Sequence, residues 1–287
     1  MLIVGCGDIG LRAACLLLSR VRVLALARTP ASADALRAVG IVPVAGNLDA
    51  AASLRRLAGL ATQVLHLAPP SGRDAGDART AALLAALARR TPPQALVYGS
   101  TTGVYGDCAG AWVSETRPIA PRTPRALARA AAEAHVRAFG RVTGTRASIL
   151  RIPAIYAPDR PSGTARERLL QGTPALSPQD DVWASRIHAD DLARACVLAL
   201  WRGQPQRVLN VSDDRPMKMG EYLDLAARLY GLPPPPRVTR AEAAQTLSSL
   251  RLSFMSESRR VVNTRIKREL RLRLRHPTAE TGLLSKR

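Results

Sequence analysis

The sequence predicts an α/β fold, a doubly wound parallel sheet with helices on both of its faces. Three observations carry that expectation. The first ten residues, MLIVGCGDIG, run an apolar strand (Leu2, Ile3, Val4) into a glycine turn, and the amphipathic stretch Leu11–Leu18 follows as a helix. Short apolar runs then alternate with helical stretches of about 10–15 residues, the spacing of βαβ units and so of parallel strands. The chain has 287 residues, 47% of them apolar, enough to bury a large core in one or two domains.

The N-terminal turn has the order that a dinucleotide site needs. Gly5 permits the tight turn, Gly7 lets the backbone approach a pyrophosphate, and Gly10 lets the helix pack close on the strand. Asp8 and Ile9 lie between them, where free N–H groups of the helix N-terminus face the anion. A purely structural glycine turn is the alternative, but strand and helix flank this one on the correct sides. Val21–Ala27 is the second strand. An NAD site places Asp or Glu about 20 residues after the turn to accept from the ribose 2′-hydroxyl. Here the position holds Ala27-Arg28-Thr29, with no acid before Asp34. A cation pairs with a 2′-phosphate, so NADP is the expected cofactor and NAD the second choice. The competing reading makes Arg28 one more solvated arginine.

Ile41–Val44 is a short third strand, followed by Gly46-Asn47-Leu48-Asp49 and a helix from about Ala50 to Leu60. Val64–Ala68 is the fourth strand, and His66 inside it reads as a core histidine rather than a catalytic one. Ala78–Arg89 is a helix, and the fifth strand starts at Ala95–Tyr98 and runs into the segment 99–106. Pro124–Arg141 is a long alanine-rich helix and Arg146–Ile152 a sixth strand. Beyond it, 154–161 and 173–178 read as proline-punctuated loops. A helix follows His188 to about Trp201, with Asp190 or Asp191 placed to cap it. Arg207–Val211 is a further strand and Gly220–Tyr230 another helix. Residues 251–275 hold nine basic residues against Glu257 and Glu269, read as a solvated basic face, and the last dozen residues are expected to be poorly ordered.

Lys and Arg number 42 against 22 Asp and Glu, a net charge of +20. Such a balance raises nucleic acid as a partner. Only Lys218, Lys267 and Lys286 are lysines, however, and an arginine and alanine excess is what a GC-rich coding sequence produces. The basic residues are spread along the chain, and aromatics make up only 3%, leaving few stacking platforms for single strands. Nucleic acid is therefore not the expected partner. No apolar stretch reaches the ~18 residues of a membrane span, and no basic segment precedes the first apolar run as in a secretory signal. The four cysteines (6, 15, 108 and 196) form no CxxC, and His66, His135, His188 and His276 show no ligand-like spacing, so neither disulfides nor a metal are expected. The expectation is a cytoplasmic protein without membrane anchorage.

Six segments together resemble the NAD(P)-dependent epimerase/dehydratase group of the extended and atypical short-chain dehydrogenase/reductase superfamily. They are VGCGDIG at 4–10, VLHLAPP at 64–70, VYGSTTGVYGD at 97–107, ILRIPAIYAP at 149–158, SRIHADDLARA at 185–195 and RVLNVSDDRP at 207–216. The resemblance implies an NAD(P)-binding Rossmann fold with a small C-terminal substrate-binding lobe. Residues 1–155 would form the cofactor domain, with 185–212 returning to its sheet. Residues 156–184 and 213–275 would form the lobe, and 276–287 a tail. It also implies that Asn47, Leu48, Leu67, Ala68 and Ile152, at strand ends, border the cofactor.

Members of the superfamily usually catalyse with a Tyr-x-x-x-Lys pair on the helix after the fifth strand, helped by a Ser or Thr at that strand's end. Thr101 falls in the Ser/Thr place, but TPRALARAAAEA at 123–134 puts Arg125 where the tyrosine belongs and Arg129 where the lysine belongs. A guanidinium stays protonated, so Arg125 holds a charge and does not cycle a proton. Arg129 can still donate to ribose hydroxyls. Tyr98, Tyr105, Tyr156 or a water held by Arg125 are the substitute proton donors. GxGxxG in place of GxxGxxG is typical of atypical members, many of which bind cofactor without the usual pair. Two readings follow. One is an NADP-dependent oxidoreductase on a small polar or nucleotide-linked substrate, with Thr101, Arg125 and Arg129 at its centre. The other is a catalytically inactive NADP-binding sensor or assembly protein. Family members often pair through the helix at 124–141, which is compatible with a homodimer here.

Overall fold

The computed structural model describes residues 1–71 and 76–285. Seven parallel strands form the central sheet: β1 (Leu2–Val4), β2 (Leu24–Ala27), β3 (Val42–Ala45), β4 (Gln63–His66), β5 (Ala95–Thr101), β6 (Arg146–Ile152) and β7 (Arg207–Asn210). Their spatial order is β7-β6-β5-β4-β1-β2-β3. The order reverses between β1 and β4, and at such a switch point the carboxyl ends of the strands leave a crevice. The predicted doubly wound fold is therefore the observed one.

Alternation along the strands explains why both faces are covered. Ile3 joins an apolar cluster on one face, while Leu2 and Val4 join the cluster on the other. The first cluster is sealed by α1 (Asp8–Cys15), α2 (Pro30–Ala38) and, through Leu192, Ala195, Cys196 and Leu200, by a helix at Ala189–Arg202. The second is sealed by α3 (Ala78–Leu87) and α4 (Pro124–Thr143), through Leu83, Leu87, Ala132, Val136 and Phe139. α4 starts at a Thr123 cap with Pro124 in its first turn and stops at Gly144 in the left-handed region.

Further helices are α5 (Ala165–Leu170), α6 (Ala189–Arg202), α7 (Met219–Tyr230), α8 (Arg240–Thr246), α9 (Ser249–Met255), α10 (Thr264–Glu269) and α11 (Ala279–Leu283). α7 packs against α5 and α11 around a separate apolar cluster that includes Tyr156, Tyr222 and Leu223.

Several local expectations change. The helix expected over 50–60 is a shorter 3-10 helix at Ala51–Leu57. Residues 154–156, expected in a loop, pair in parallel with 186–188, and 175–176 pair with 237–238. The cap of α6 is neither Asp190 nor Asp191. His188 takes that place, its Nδ1 accepting from the Asp190 N–H at 3.2 Å, while the two acids occupy the first turn. The basic stretch 251–275 is not merely a solvated face, since Ile266, Leu270 and Leu272 are buried in the sheet-facing core. The C-terminal tail also folds. Thr278 and Thr281 close a capping box, and α11 sets Gly282 so close to Tyr156 that a Cβ would lie 2.6 Å from its ring. Residues 286 and 287 lie outside the described part.

Candidate active site

The carboxyl ends of β1, β4, β5 and β6 open onto one cavity of about 330 Å³. Its wall includes Gly5, Gly7, Asp8, Ile9 and Gly10 of the turn, Leu67 after β4, Thr101 and Ile152 at the ends of β5 and β6, and Arg125 and Arg129 from α4. Ten of the residues singled out from sequence thus meet at one place. Four do not line it. Ala68 is buried behind Gly5, and Arg28 is exposed at the end of β2. Asn47 folds back on the Asp49 N–H after β3, and Leu48 packs against the core.

The three glycines of the turn answer to different constraints. Gly5 has φ +88°, and a Cβ there would stand 2.3 Å from the backbone nitrogen of Ala68, so a side chain is excluded twice over. A Cβ at Gly10 would come within 3.0 Å of the Gly5 carbonyl and 3.3 Å of Ile3, which is where α1 rests on β1. A Cβ at Gly7 meets nothing within 4 Å. Gly7 is also the N-cap of α1 and no side chain caps it, leaving the first N–H groups free for an acceptor.

Asp8 would repel an anion at that helix end if its charge stood alone. It does not. Asp8 Oδ1 accepts from Arg12 Nε at 2.8 Å and Oδ2 from Arg160 Nε at 2.9 Å. Arg12, 8% exposed, also bonds Asp159 at 2.7 Å and Asp190 at 2.5 Å. Burial works against its charge, but the bonds to Asp159, Asp8 and Asp190 outweigh it and hold the guanidinium well above its ordinary pKa. The open backbone at Gly7 and the uncapped helix end suit a pyrophosphate, and both oxygens of Asp8 are engaged by guanidiniums, one of which it shares with Asp159 and Asp190.

At the other end of the cavity, Thr101 Oγ1 accepts from the Gly103 N–H at 3.2 Å, so its own hydrogen remains free to donate. Ser100, which sequence reasoning passed over although it sits in the same strand end, also lines the cavity. Its hydroxyl donates to Glu133 Oε1 at 2.6 Å, and Glu133 is fixed in turn by a buried ion pair with Arg151 at 2.7 Å. Arg129 reaches back to the sheet, with Nη1 donating to the Gly99 carbonyl at 2.6 Å and to the Tyr98 hydroxyl at 3.1 Å.

None of the chain's five tyrosines lines the cavity, which corrects the three substitutes proposed from sequence. Tyr98 is fully buried, and burial pushes its hydroxyl up to about 12. Tyr105 donates to Asn210 Oδ1 at 2.8 Å, and Tyr156 donates to the Thr278 carbonyl at 3.0 Å. Position along the chain alone does not show which way these rings face.

Outside the cavity, His66 is buried and bonds Thr80 Oγ1 at 2.8 Å, and burial lowers its pKa to about 4. The fold also assembles a group that linear spacing did not reveal. Ligand-type atoms of His188, Asp190 and His276 lie within 4.8 Å of one another. Their donors are largely engaged within the protein: His188 caps α6, Asp190 pairs with Arg12, and the two imidazoles stack at 3.8 Å.

Comparison with known proteins agrees with this geometry. The model of the NAD dependent epimerase/dehydratase family matches residues 1–212. The chain belongs to that family. Among solved structures, a functionally unknown conserved protein from Silicibacter pomeroyi is 32% identical with a TM-score of 0.81, covering 98% of this chain and 95% of that one. A dTDP-glucose 4,6-dehydratase double mutant from Streptomyces venezuelae, with NAD bound, is 22% identical with a TM-score of 0.77, covering 98% and 95%. At that identity the likeness speaks for the epimerase/dehydratase fold alone. A 3-diazoavenalumate denitrifying reductase from a Streptomyces species is 30% identical over 139 residues, 47% of this chain. The matched segment spans 45% of that reductase's length. No helix among the described residues is long and apolar enough to cross a membrane.

Proposed function

We propose that the protein binds a nicotinamide dinucleotide at the glycine turn, NADP in preference to NAD, and acts as an oxidoreductase on a small polar or nucleotide-linked substrate. The observation that carries the reading is that a single cavity joins Gly5, Gly7 and Gly10 to Thr101, Arg125 and Arg129. The family membership, the NAD complex of a structural neighbour and the reductase among the relatives support it. In this reading residues 1–155 and 185–212 hold the cofactor, and 156–184 with 213–275 approach the substrate.

The nicotinamide supplies or accepts a hydride when bound. The chain's residues do the rest. Gly7 and the N-terminus of α1 hold the pyrophosphate, Arg12 and Arg160 engage both oxygens of Asp8, and the exposed Arg28 takes the 2′-phosphate. Thr101, its lone pair already given to the Gly103 N–H, donates to a substrate carbonyl and polarises it. Reduction of that carbonyl would need a proton beside the hydride, and with no tyrosine among the lining residues solvent water at the cavity would supply it.

The deciding experiment is a fluorescence titration with NADPH and NADH, repeated on Arg28→Asp. Tight NADPH binding that weakens in Arg28→Asp supports the site and the 2′-phosphate contact. Failure of both nucleotides to bind at millimolar concentration sinks the reading. The absence of tyrosine from the cavity favours a second reading, an NADP-binding sensor or assembly protein without turnover. NADPH oxidation by any member of a panel of aldehydes, ketones and nucleotide sugars decides between the two.

A further inference from the structure

Resting on the oxidoreductase reading, the geometry points to a substrate that carries a carboxylate, seated on Arg125 next to the carbon that reacts at Thr101. Three observations lead there. Among the described residues no carboxylate lies within ion-pairing distance of Arg125, whereas Arg12, Arg151 and Arg160 in and around the site each have one. The Arg125 Nε is buried without a hydrogen-bond acceptor. Its guanidinium lies over the Phe254 ring at 4.1 Å, so one face is plated by an aromatic while the edge is left for a ligand.

Glu257 is the acid whose charge acts most on Arg125. It is already paired with Arg259 at 2.8 Å, so these three groups leave one positive charge over. Burial lowers the pKa of Arg125, as expected for a cation removed from water without a counter-ion. A half-buried guanidinium whose Nε is buried and unpartnered carries a cost that an anionic ligand would offset. Arg129 adds to the positive field, but its Nη1 is anchored on Gly99 and Tyr98. One free fork therefore remains, and a planar fork matches a planar carboxylate through two parallel bonds. Thr101 and Arg125 line the same cavity, beside Ile152, Ile155 and Leu192, so the acid and the reacting carbonyl belong to one compact molecule with an apolar flank.

The test is a calorimetric titration with benzoylformate, its methyl ester and benzoylphosphonate, each with and without saturating NADPH. The native protein is expected to bind benzoylformate ~10-fold or more tightly than the uncharged ester, the worth of a charge-assisted pair. That gap should close in Arg125→Gln, survive in part in Arg125→Lys, and narrow in Phe254→Ala, whose exposed side chain can be lost without unfolding. Equal binding of acid and ester, or an undiminished gap in Arg125→Gln, overturns the inference. Tighter binding of the phosphonate overturns the carboxylate assignment. NADPH titrations on the same samples keep the two readings apart. An acid preference without NADPH binding refutes the cofactor reading alone, and NADPH binding without an acid preference refutes this inference alone.

Discussion

Asp213 makes this fold lose stability as pH rises, and Asp213→Asn should remove that loss. The residue follows the strand at 207–210 and is 3% exposed, with the Arg215 N–H as the backbone donor acting on its carboxyl. Burial pushes its carboxyl up to about 8 against the pull of Arg186, and Asp214 and Asp191 add to the rise. The folded state thus keeps a proton that the unfolded chain releases near pH ~3.9. Its contribution to stability is complete below that unfolded value and drains away as pH climbs toward about 8. From about pH 5 to about pH 7 the loss is ~2.7 kcal/mol, at ~1.36 kcal/mol per unit, or ~5–10 °C in Tm for a chain of this size. Urea denaturation of both proteins at the two pH values isolates the effect, because every other group titrates alike in each. Asp213→Asn should gain ~2–3 kcal/mol on the native protein between the two conditions. Parallel pH profiles would refute the reasoning, whatever the absolute stabilities.

The glycine turn offers a paired prediction. Gly7→Ala should leave the melting temperature unchanged, since its Cβ meets nothing, yet weaken NADPH binding by ~10-fold or more if a pyrophosphate approaches there. Gly5→Ala should cost ~1–3 kcal/mol in thermal or urea unfolding, because its backbone is left-handed and Ala68 fills the space. Arg12→Met should destabilise by ~3 kcal/mol in urea, because Asp8, Asp159 and Asp190 lose their shared counter-ion. The same variant should bind NADPH more weakly, as Asp8 at the helix end keeps only Arg160 as a partner, and addition of salt should reduce that added repulsion.

What the sequence made legible was set by how local the cause is. The strand at 146–152 and the glycine turn were readable because apolar runs and backbone freedom act over a few residues. The helix at 279–283 was not, because five residues carry no period, and its stability comes from packing against Tyr156 and the helix at 219–230. The three tyrosines fail as acids for a similar reason. Tyr98 lies inside its strand, Tyr105 in the turn after it and Tyr156 at a strand end, but facing is decided by partners far away in sequence, Asn210 for Tyr105 and Thr278 for Tyr156. Arg125 was legible as a departure, whereas its environment depends on Phe254 and Glu257 from the distant end of the chain.

The arginine excess takes on a sharper meaning once individual partners are known. A codon-driven surplus fills solvated faces, and Arg22 and Arg89 are exposed in that way. Arg12 is different. It joins the first helix to Asp159 and to Asp190 at the start of the helix at 189–202, while Arg160 reaches back to Asp8. The charge at the glycine turn is therefore governed by residues from three separated segments of the chain. An anion at Gly7 would meet a field set in part by Arg160, through its contact with Asp8.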